Sequence, residues 1–118
     1  MTTLNIFRHA KDGIQFSAGQ TIFTEGEHGD VAYGIQDGEI DIVLHGRTVD
    51  TAGPGSIVGE MALIDAKPRS ASAIAKTDCT LVPVDAKRFT FLVQQTPFFA
   101  LNVMRLMTER IRRYMEES

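Results

Sequence analysis

Short stretches in which apolar and polar residues alternate fill the first two thirds of the chain. The alternation is clearest over 31–35 and 40–44, and the pair Asp37-Gly38 stands between these two stretches. A period of two is typical of half-buried strands, and Asp-Gly is a turn signal. Further short apolar or β-branched runs occur at 21–23, 71–75 and 80–84. We therefore predict an all-β body of about eight short strands, rolled so that few strand edges stay exposed.

The last third of the chain has a helical pattern. All ten glycines precede residue 60, and the stretch that follows favours helix. Asp85 is a candidate N-cap for a first helix at 85–95. Thr96-Pro97 then has the cap and first-turn residues that start a second helix over 97–116. The predicted β-roll covers about 12–84, and the chain 1–118 is expected to be one domain.

Apolar residues form two seams along the predicted 97–116 helix. The first seam is Phe99, Val103 and Leu106, which we expect to pack on the β body. The second seam is Ala100, Met104, Met107, Ile111 and Tyr114. It has two interpretations at this stage, a wider buried face or a helix–helix contact between two copies of the chain.

Composition narrows the class of protein. The 118 residues are 43% hydrophobic and 23% charged, as in an ordinary globular domain, and no apolar run is long enough to cross a membrane. Cys79 has no second cysteine to pair with, so we expect a cytoplasmic location. Residues 1–65 hold ten acids and three bases, and the remainder holds nine bases and five acids. We interpret the basic half as a solvated helix face rather than a nucleic-acid surface.

Catalytic and metal-binding patterns are missing from the sequence. His9, His28 and His45 lie far apart, without the close spacing that metal ligands show. Cys79 lies in a strand-like run, which favours a buried, inert thiol. No nucleophile elbow or phosphate-loop motif occurs. We therefore expect neither an enzyme nor a metal site.

The segment 53–72 carries the candidate chemistry. Gly59 permits close approach to the backbone, and 60–63 is long enough for one helical turn. Arg69 lies among small residues, where its planar fork suits a phosphate. Glu60 could accept a sugar hydroxyl. The alternative is that Glu60 and Arg69 pair with each other and staple the loop.

The order of these residues resembles a known family, the cyclic-nucleotide-binding domains of bacterial cAMP receptor proteins, protein kinase regulatory subunits and cyclic-nucleotide-gated channels. The segment Gly59-Glu60-Met61-Ala62-Leu63, followed by Pro68-Arg69-Ser70-Ala71, is similar to the phosphate-binding cassette of that family. Upstream, Phe16, Gly19, Ile22-Phe23, Gly26-Glu27, Gly29-Asp30, Tyr33, Ile35, Gly38 and Ile40 extend the match. The resemblance implies an eight-stranded, jelly-roll-like β-roll with an inserted cassette and two C-terminal helices.

The resemblance also implies roles for individual residues. Arg69 would bind the cyclic phosphate and Glu60 the ribose 2′-hydroxyl. Backbone N–H groups near Gly59, Ala62 and Ala71 would complete the phosphate cradle. Additional contacts are implied from Ser70 to the phosphate or base and from Met61 to the purine or ribose. Ile57, Val58 and Ala73 are expected to line the pocket, with ordinary core packing as the alternative. The expected lid residues are Arg110 and Tyr114, for which surface charge and seam packing are the alternatives.

The ligand implied by this resemblance is cAMP, with cGMP second, since Ser70 follows the arginine as in the bacterial cAMP pattern. The expected partners are the nucleotide, an effector protein and a weakly bound second copy. Direct nucleic-acid binding is not expected, because no recognition helix follows 97–118. Two other interpretations are the sensor of a transcription regulator and a ligand-free interaction module.

Overall fold

The computed structural model describes residues 5–65 and 67–117. Over these residues the chain forms eight strands and two α-helices. They are β1 Ile14–Phe16, β2 Thr21–Phe23, β3 Val31–Asp37, β4 Ile40–Leu44, β5 Arg47–Ala52, β6 Ile57–Val58, β7 Ser72–Ala75, β8 Cys79–Asp85, α1 Ala86–Gln95 and α2 Phe98–Glu117. Two short 3₁₀ helices cover Asn5–Phe7 and Glu60–Leu63.

The strands pair in a nested order. β4 pairs with β5, β3 with β6, β2 with β7 and β1 with β8, always antiparallel. The result is two four-stranded sheets, with the orders β1-β8-β3-β6 and β2-β7-β4-β5. The innermost pair turns through His45 and Gly46, whose φ angles are 53° and 78°. Two positive φ angles match the twist of a tight hairpin. The predicted eight-stranded, jelly-roll-like β-roll is confirmed.

Apolar side chains form two cores, one on each face of the β1-β8-β3-β6 sheet. The core between the sheets contains Ile35, Ile40, Val58 and Leu81, and the core under the helices contains Phe7, Ile57, Val82, Val84, Phe99 and Val103. Successive side chains of a strand point to opposite faces, so a strand of this sheet supplies both cores. The helices are therefore packed on the outer face of the roll.

The helix boundaries lie close to those predicted. Asp85 Oδ1 accepts a hydrogen bond from the Arg88 N–H at 2.8 Å, so Asp85 is the N-cap of α1. α2 begins at Phe98, one residue later than expected, and the Thr96 carbonyl accepts from the Phe99 N–H at 2.8 Å. The first seam of α2 packs on the β body as predicted.

The second seam is divided between two sides of α2, so neither of its two interpretations holds for all of its residues. Met107 and Tyr114 are half-buried on the side of the β-roll rather than exposed with Met104 and Ile111. The exposed row of α2 consists of Leu101, Met104, Thr108, Ile111 and Met115. The cause is Arg110, whose buried side chain binds groups of the β-roll and so fixes which face of α2 turns inward.

Candidate functional site

A cavity of about 430 Å³ lies between the β-roll, the 53–72 segment and α2. Apolar side chains from the strands form one wall, and the 53–72 segment and α2 supply the polar groups. The apolar wall contains Phe23, Ile42, Leu44, Val49 and Val58, and the polar groups include Glu60, Arg69, Ser70 and Arg110. A cavity that combines an apolar wall with a few charged groups suits a small ligand with a flat apolar part and an anionic part.

Gly59 sets the local shape of the 53–72 segment. Its φ of 75° places it in the left-handed region, and the 3₁₀ helix Glu60–Leu63 starts directly after it. The Ala62 N–H donates to the Gly59 carbonyl at 3.2 Å. This turn buries the Glu60 side chain while leaving Met61 exposed at the cavity rim.

Arg69 lies inside the cavity without a carboxylate partner. Its Nη2 donates to the Val31 carbonyl at 2.7 Å, its Nη1 donates to the Gly59 carbonyl at 3.4 Å, and the guanidinium lies 4.2 Å from the centre of the Phe23 ring. None of the described carboxylates forms an ion pair with it. Burial lowers the pKa of the guanidinium, although arginine stays charged at any physiological pH. The positive charge is held in place by neutral groups, which leaves it available to an anion.

Two glycines make room for this guanidinium. A methyl group on Gly29 would lie 2.6 Å from Arg69 Nε, and one on Gly59 would lie 2.7 Å from Arg69 Nη1. The main chain also holds the Arg69 backbone, since its N–H donates to the Glu27 carbonyl at 2.8 Å and its carbonyl accepts from the Gly26 N–H at 2.9 Å. The loop between β2 and β3 therefore positions Arg69 from outside the 53–72 segment.

Glu60 binds Arg110 of α2 rather than Arg69. Arg110 Nη1 donates to Glu60 Oε1 at 2.9 Å, and Arg110 Nη2 donates to Ser56 Oγ at 3.1 Å. Arg110 Nε also lies 3.7 Å from Asp50 Oδ2, and Arg113 Nη1 binds Asp50 Oδ1. The interpretation in which Glu60 and Arg69 staple the loop is therefore wrong. The interpretation of Arg110 as surface charge is also wrong, because its side chain is only 8% exposed.

Most of the predicted site residues line this one cavity. They are Val58, Gly59, Glu60, Met61, Ala62, Arg69, Ser70, Ala71, Arg110 and Tyr114. Ile57 and Ala73 do not line it. Ile57 points to the core under the helices, because it precedes Val58 in the same strand and adjacent side chains face opposite ways. Ala73 is fully buried in the core between the sheets.

The two expected lid residues both lie on the inner side of α2. Tyr114 is half-buried, and burial raises the pKa of its phenol, which therefore stays protonated at neutral pH and able to donate a hydrogen bond. Met107 and Ile111 of the same helix also line the cavity. The C-terminal half of α2 is thus one wall of the site.

Sequence reasoning missed Asp50 and the role of Phe23. Asp50 lies on β5 between Val49 and Thr51, where a polar residue is typical of a solvated strand face. Phe23 belongs to an alternating run that fits ordinary core packing. No local signal distinguishes either residue, since each depends on a partner far away in the chain.

Other chemistry is limited in the described part of the chain. No group of three or more His, Cys, Asp or Glu side chains there could hold a metal ion. Cys79 is buried, and burial raises the pKa of its thiol, which disfavours the reactive thiolate. No described helix combines the length and apolar character that a membrane crossing needs.

Comparison with known proteins gives one family. The family model described as "Cyclic nucleotide-binding domain" matches residues 14–96. A cAMP-dependent protein kinase regulatory subunit of Eremothecium gossypii is 45% identical over 75 residues, which cover 64% of this chain and 16% of that protein. The Cyclic AMP receptor protein of Thermus thermophilus is 33% identical over 102 residues, covering 82% of this chain and 47% of that protein. The first curated relatives are thus matched over 16% to 47% of their lengths.

Solved structures agree with this result. The Thermus thermophilus Catabolite Activator Protein superposes with a TM-score of 0.76 at 31% identity, over 89% of this chain and 52% of that one. The structure described as "cAMP bound PfPKA-R (141-441)" superposes with a TM-score of 0.75 at 28% identity, over 88% of this chain and 36% of that one. The cGMP-bound form of "EAL Enzyme Bd1971" superposes with a TM-score of 0.66 at 34% identity, over 89% of this chain and 29% of that one. The relatives described are thus regulatory or receptor proteins, together with an enzyme that contains a similar domain.

Proposed function

The chain belongs to the cyclic nucleotide-binding domain family, and from this premise we propose that its cavity binds a cyclic purine nucleotide, cAMP first and cGMP second. The observation that carries the proposal is Arg69. This guanidinium lies in the cavity on neutral partners, so an anionic ligand would supply its missing counter-charge.

The cyclic phosphate is proposed to bind at Arg69. The planar fork can donate two hydrogen bonds to the exocyclic phosphate oxygens. Backbone N–H groups near Gly59, Ala62 and Ala71 would complete the cradle, and these residues line the cavity beside Arg69. Ser70 lies at the same rim, where its hydroxyl could donate to the phosphate or the base.

The ribose is proposed to bind at Glu60. Arg110 donates a hydrogen bond to Oε1 of this carboxylate. Oε2 would accept a hydrogen bond from the 2′-hydroxyl. A hydrogen bond to a charged acceptor in a buried site is stronger than one between neutral groups. The contact with Arg110 also holds the Glu60 carboxylate in position before the ligand arrives.

The base is proposed to lie between the apolar wall and α2. Met61 at the rim is suited to contact the purine or the ribose, and Tyr114 and Arg110 present an aromatic ring and a guanidinium from the helix. The preference for cAMP rests on Ser70, the residue after the arginine. We propose both nucleotides as ligands, because similar structures are described with cAMP and with cGMP.

Signalling is proposed to work through α2. Nucleotide that binds Glu60 and contacts the inner side of α2 would favour the conformations in which this helix lies against the cavity. The shift can be no larger than the difference in affinity between the two conformations, and a ~100-fold preference corresponds to roughly 2.7 kcal/mol. The role is regulatory rather than catalytic, and the domain acts through an effector protein.

A second copy of the chain is the proposed occupant of the outer face of α2. Leu101, Met104, Thr108, Ile111 and Met115 are exposed at alternating spacings of three and four, the period of a two-stranded coiled coil. Arg105 and Arg112 flank the row and would repel each other across the contact. We therefore expect a weak homodimer. The proposed location stays the cytoplasm, on the ground of the single cysteine.

Calorimetric titration with cAMP, cGMP and 5′-AMP tests the nucleotide proposal. We expect saturable binding of cAMP, weaker binding of cGMP, and little binding of 5′-AMP, whose open phosphate carries a second charge and a different shape. Heat from neither cyclic nucleotide at millimolar concentration would contradict the proposal and favour a ligand-free interaction module. A role as the sensor part of a transcription regulator is compatible with the matched fraction of the receptor protein.

A further inference from the structure

Asp50 is a buried carboxylate on β5 whose cationic partners both lie on α2. Its side chain is only 7% exposed. Oδ1 binds Arg113 Nη1, and Oδ2 lies 3.7 Å from Arg110 Nε. Within its own strand, the Thr51 N–H donates to Oδ1 at 2.8 Å. One carboxylate thus meets two arginines that lie about one helical turn apart.

Movement of α2 away from the roll would separate Asp50 from both arginines. A buried charge that loses its counter-charge is strongly unfavourable, so the conformations in which α2 stays in place are favoured. All groups in these contacts belong to the protein, and Asp50 does not line the nucleotide cavity. Glu60, by contrast, lines that cavity and contacts the same Arg110. A ligand can therefore reach one anchor of Arg110 but not the other.

We infer that Asp50 is a positioning residue that keeps the C-terminal half of α2 closed over the cavity in the absence of nucleotide. This inference rests on the proposed nucleotide function. A lid that is already closed raises the fraction of binding-competent molecules, which tightens apparent affinity. It also reduces the movement that nucleotide can cause. Asp50 therefore raises the affinity for nucleotide and reduces the movement of α2 that nucleotide can cause.

Hydrogen exchange of the full chain without nucleotide tests the first half of the inference. In Asp50→Asn, amides of 106–115 should exchange about tenfold or more faster than in the parent, since a charged anchor is lost. Amides of β3 and β8 should keep parent rates. Asp50→Glu retains the carboxylate and should restore much of the protection. The matched control is Asp41→Asn on β4, because Asp41 accepts from the Thr51 hydroxyl at 2.9 Å and forms no ion pair with the described part of α2.

Addition of cAMP tests the second half. Saturating cAMP should return 106–115 of Asp50→Asn to near-parent exchange, because nucleotide that contacts the inner side of α2 favours the closed conformation. The cAMP affinity should fall by the same factor as the closed fraction of the protein, which is a smaller change than the fold-increase in opening as long as the closed form predominates. If the parent binds no cyclic nucleotide, the proposed function is wrong. The exchange rates measured without nucleotide still test whether Asp50 holds α2 against the roll.

Parent-like exchange in Asp50→Asn would overturn the inference, as would failure of bound cAMP to restore protection. If Asp50→Asn does not fold, Arg113→Gln takes its place, since Arg113 is partly exposed and its loss leaves the contact between Asp50 and Arg110. Faster exchange confined to 106–115 in Arg113→Gln supports the inference. Parent rates in that variant overturn it.

Discussion

Arg110 of α2 donates from Nη1 to Oε1 of Glu60 at 2.9 Å, although the two residues lie 50 positions apart in the chain. Glu60 lines the cavity at the point proposed for the sugar, and Arg110 belongs to the helix that forms the opposite wall. A single ion pair therefore joins the proposed ligand contact to the element proposed to carry the signal. A ligand hydroxyl bound to Glu60 would share this carboxylate with Arg110.

Replacement of Arg69 tests the phosphate site. Arg69→Ala should weaken cAMP binding by roughly 2–5 kcal/mol, because the phosphate would be desolvated without its partner. Arg69→Lys should recover only part of the loss, since an ammonium lacks the bidentate fork. Calorimetry measures both values, with Arg105→Ala on the exposed face of α2 as a control that should bind like the parent. Parent-like affinity in Arg69→Ala would rule out this phosphate site.

A double-mutant cycle tests the sugar contact. The 2′-deoxy analogue of cAMP should bind the parent about 1.5–3 kcal/mol more weakly, the range for a hydrogen bond to a charged group. In Glu60→Gln the same analogue should lose little further affinity, because the variant and the analogue remove one interaction. Titration of both proteins with both ligands completes the cycle. Fully additive losses would mean that Glu60 contacts another part of the ligand.

Gly29 offers a test of Arg69 from outside the 53–72 segment. A methyl group at Gly29 would lie 2.6 Å from Arg69 Nε, which is too close for an ordinary contact. It would therefore displace the far end of the flexible Arg69 side chain. We expect Gly29→Ala to change the free energy of unfolding by less than about 1 kcal/mol. Its cAMP affinity should nevertheless fall tenfold or more, about 1.4 kcal/mol.

Chemical denaturation and calorimetry measure these two quantities for Gly29→Ala. Gly53→Ala is the matched control, since a methyl group there meets nothing within 4 Å. Unchanged affinity in Gly29→Ala would show that the position of Arg69 does not matter for binding.

Glutamine at Met104 and Ile111 tests self-association through α2. Both side chains are exposed in the heptad row, so their replacement should abolish a dimer. Ile111 also lines the cavity, so the variant that should keep the parent nucleotide affinity is Met104→Gln alone. The parent dimer should dissociate in about the micromolar range or above, because association costs offset much of the burial. It should become tighter at high salt, which screens the arginines beside the row.

Light scattering over a range of concentrations and salts decides the dimer prediction. Phe91→Gln on α1 removes a comparable exposed apolar side chain outside the row, and it should leave the dimer intact. A monomer mass under all conditions would contradict self-association through this face.

Sequence predicted the fold well because alternation and turn residues are local signals. The N-cap Asp85 and the turn at Gly59 are both fixed by neighbours in the chain. The division of the second seam could not be predicted, since its spacing fits a wider buried face and an exposed contact equally well. The burial of Arg110 decides it, and its partners Asp50 and Glu60 come from distant elements. The pocket assignment of Ile57 shows a different limit, because two adjacent strand residues cannot both face one cavity.

The nested strand order has a consequence for the route by which the chain folds. Of the four nested pairs, only β4–β5 is joined by a tight turn, and each outer pair, up to β1 with β8, must close a longer loop. Loop closure costs entropy before the contacts form, so β4–β5 is expected to form first and the outer pairs later. Substitutions in this hairpin should slow refolding in stopped-flow measurements, whereas those in β1 should mainly accelerate unfolding. The 53–72 segment lies inside the loop that β2 and β7 close, so the nucleotide cavity would take shape only in the second half of assembly.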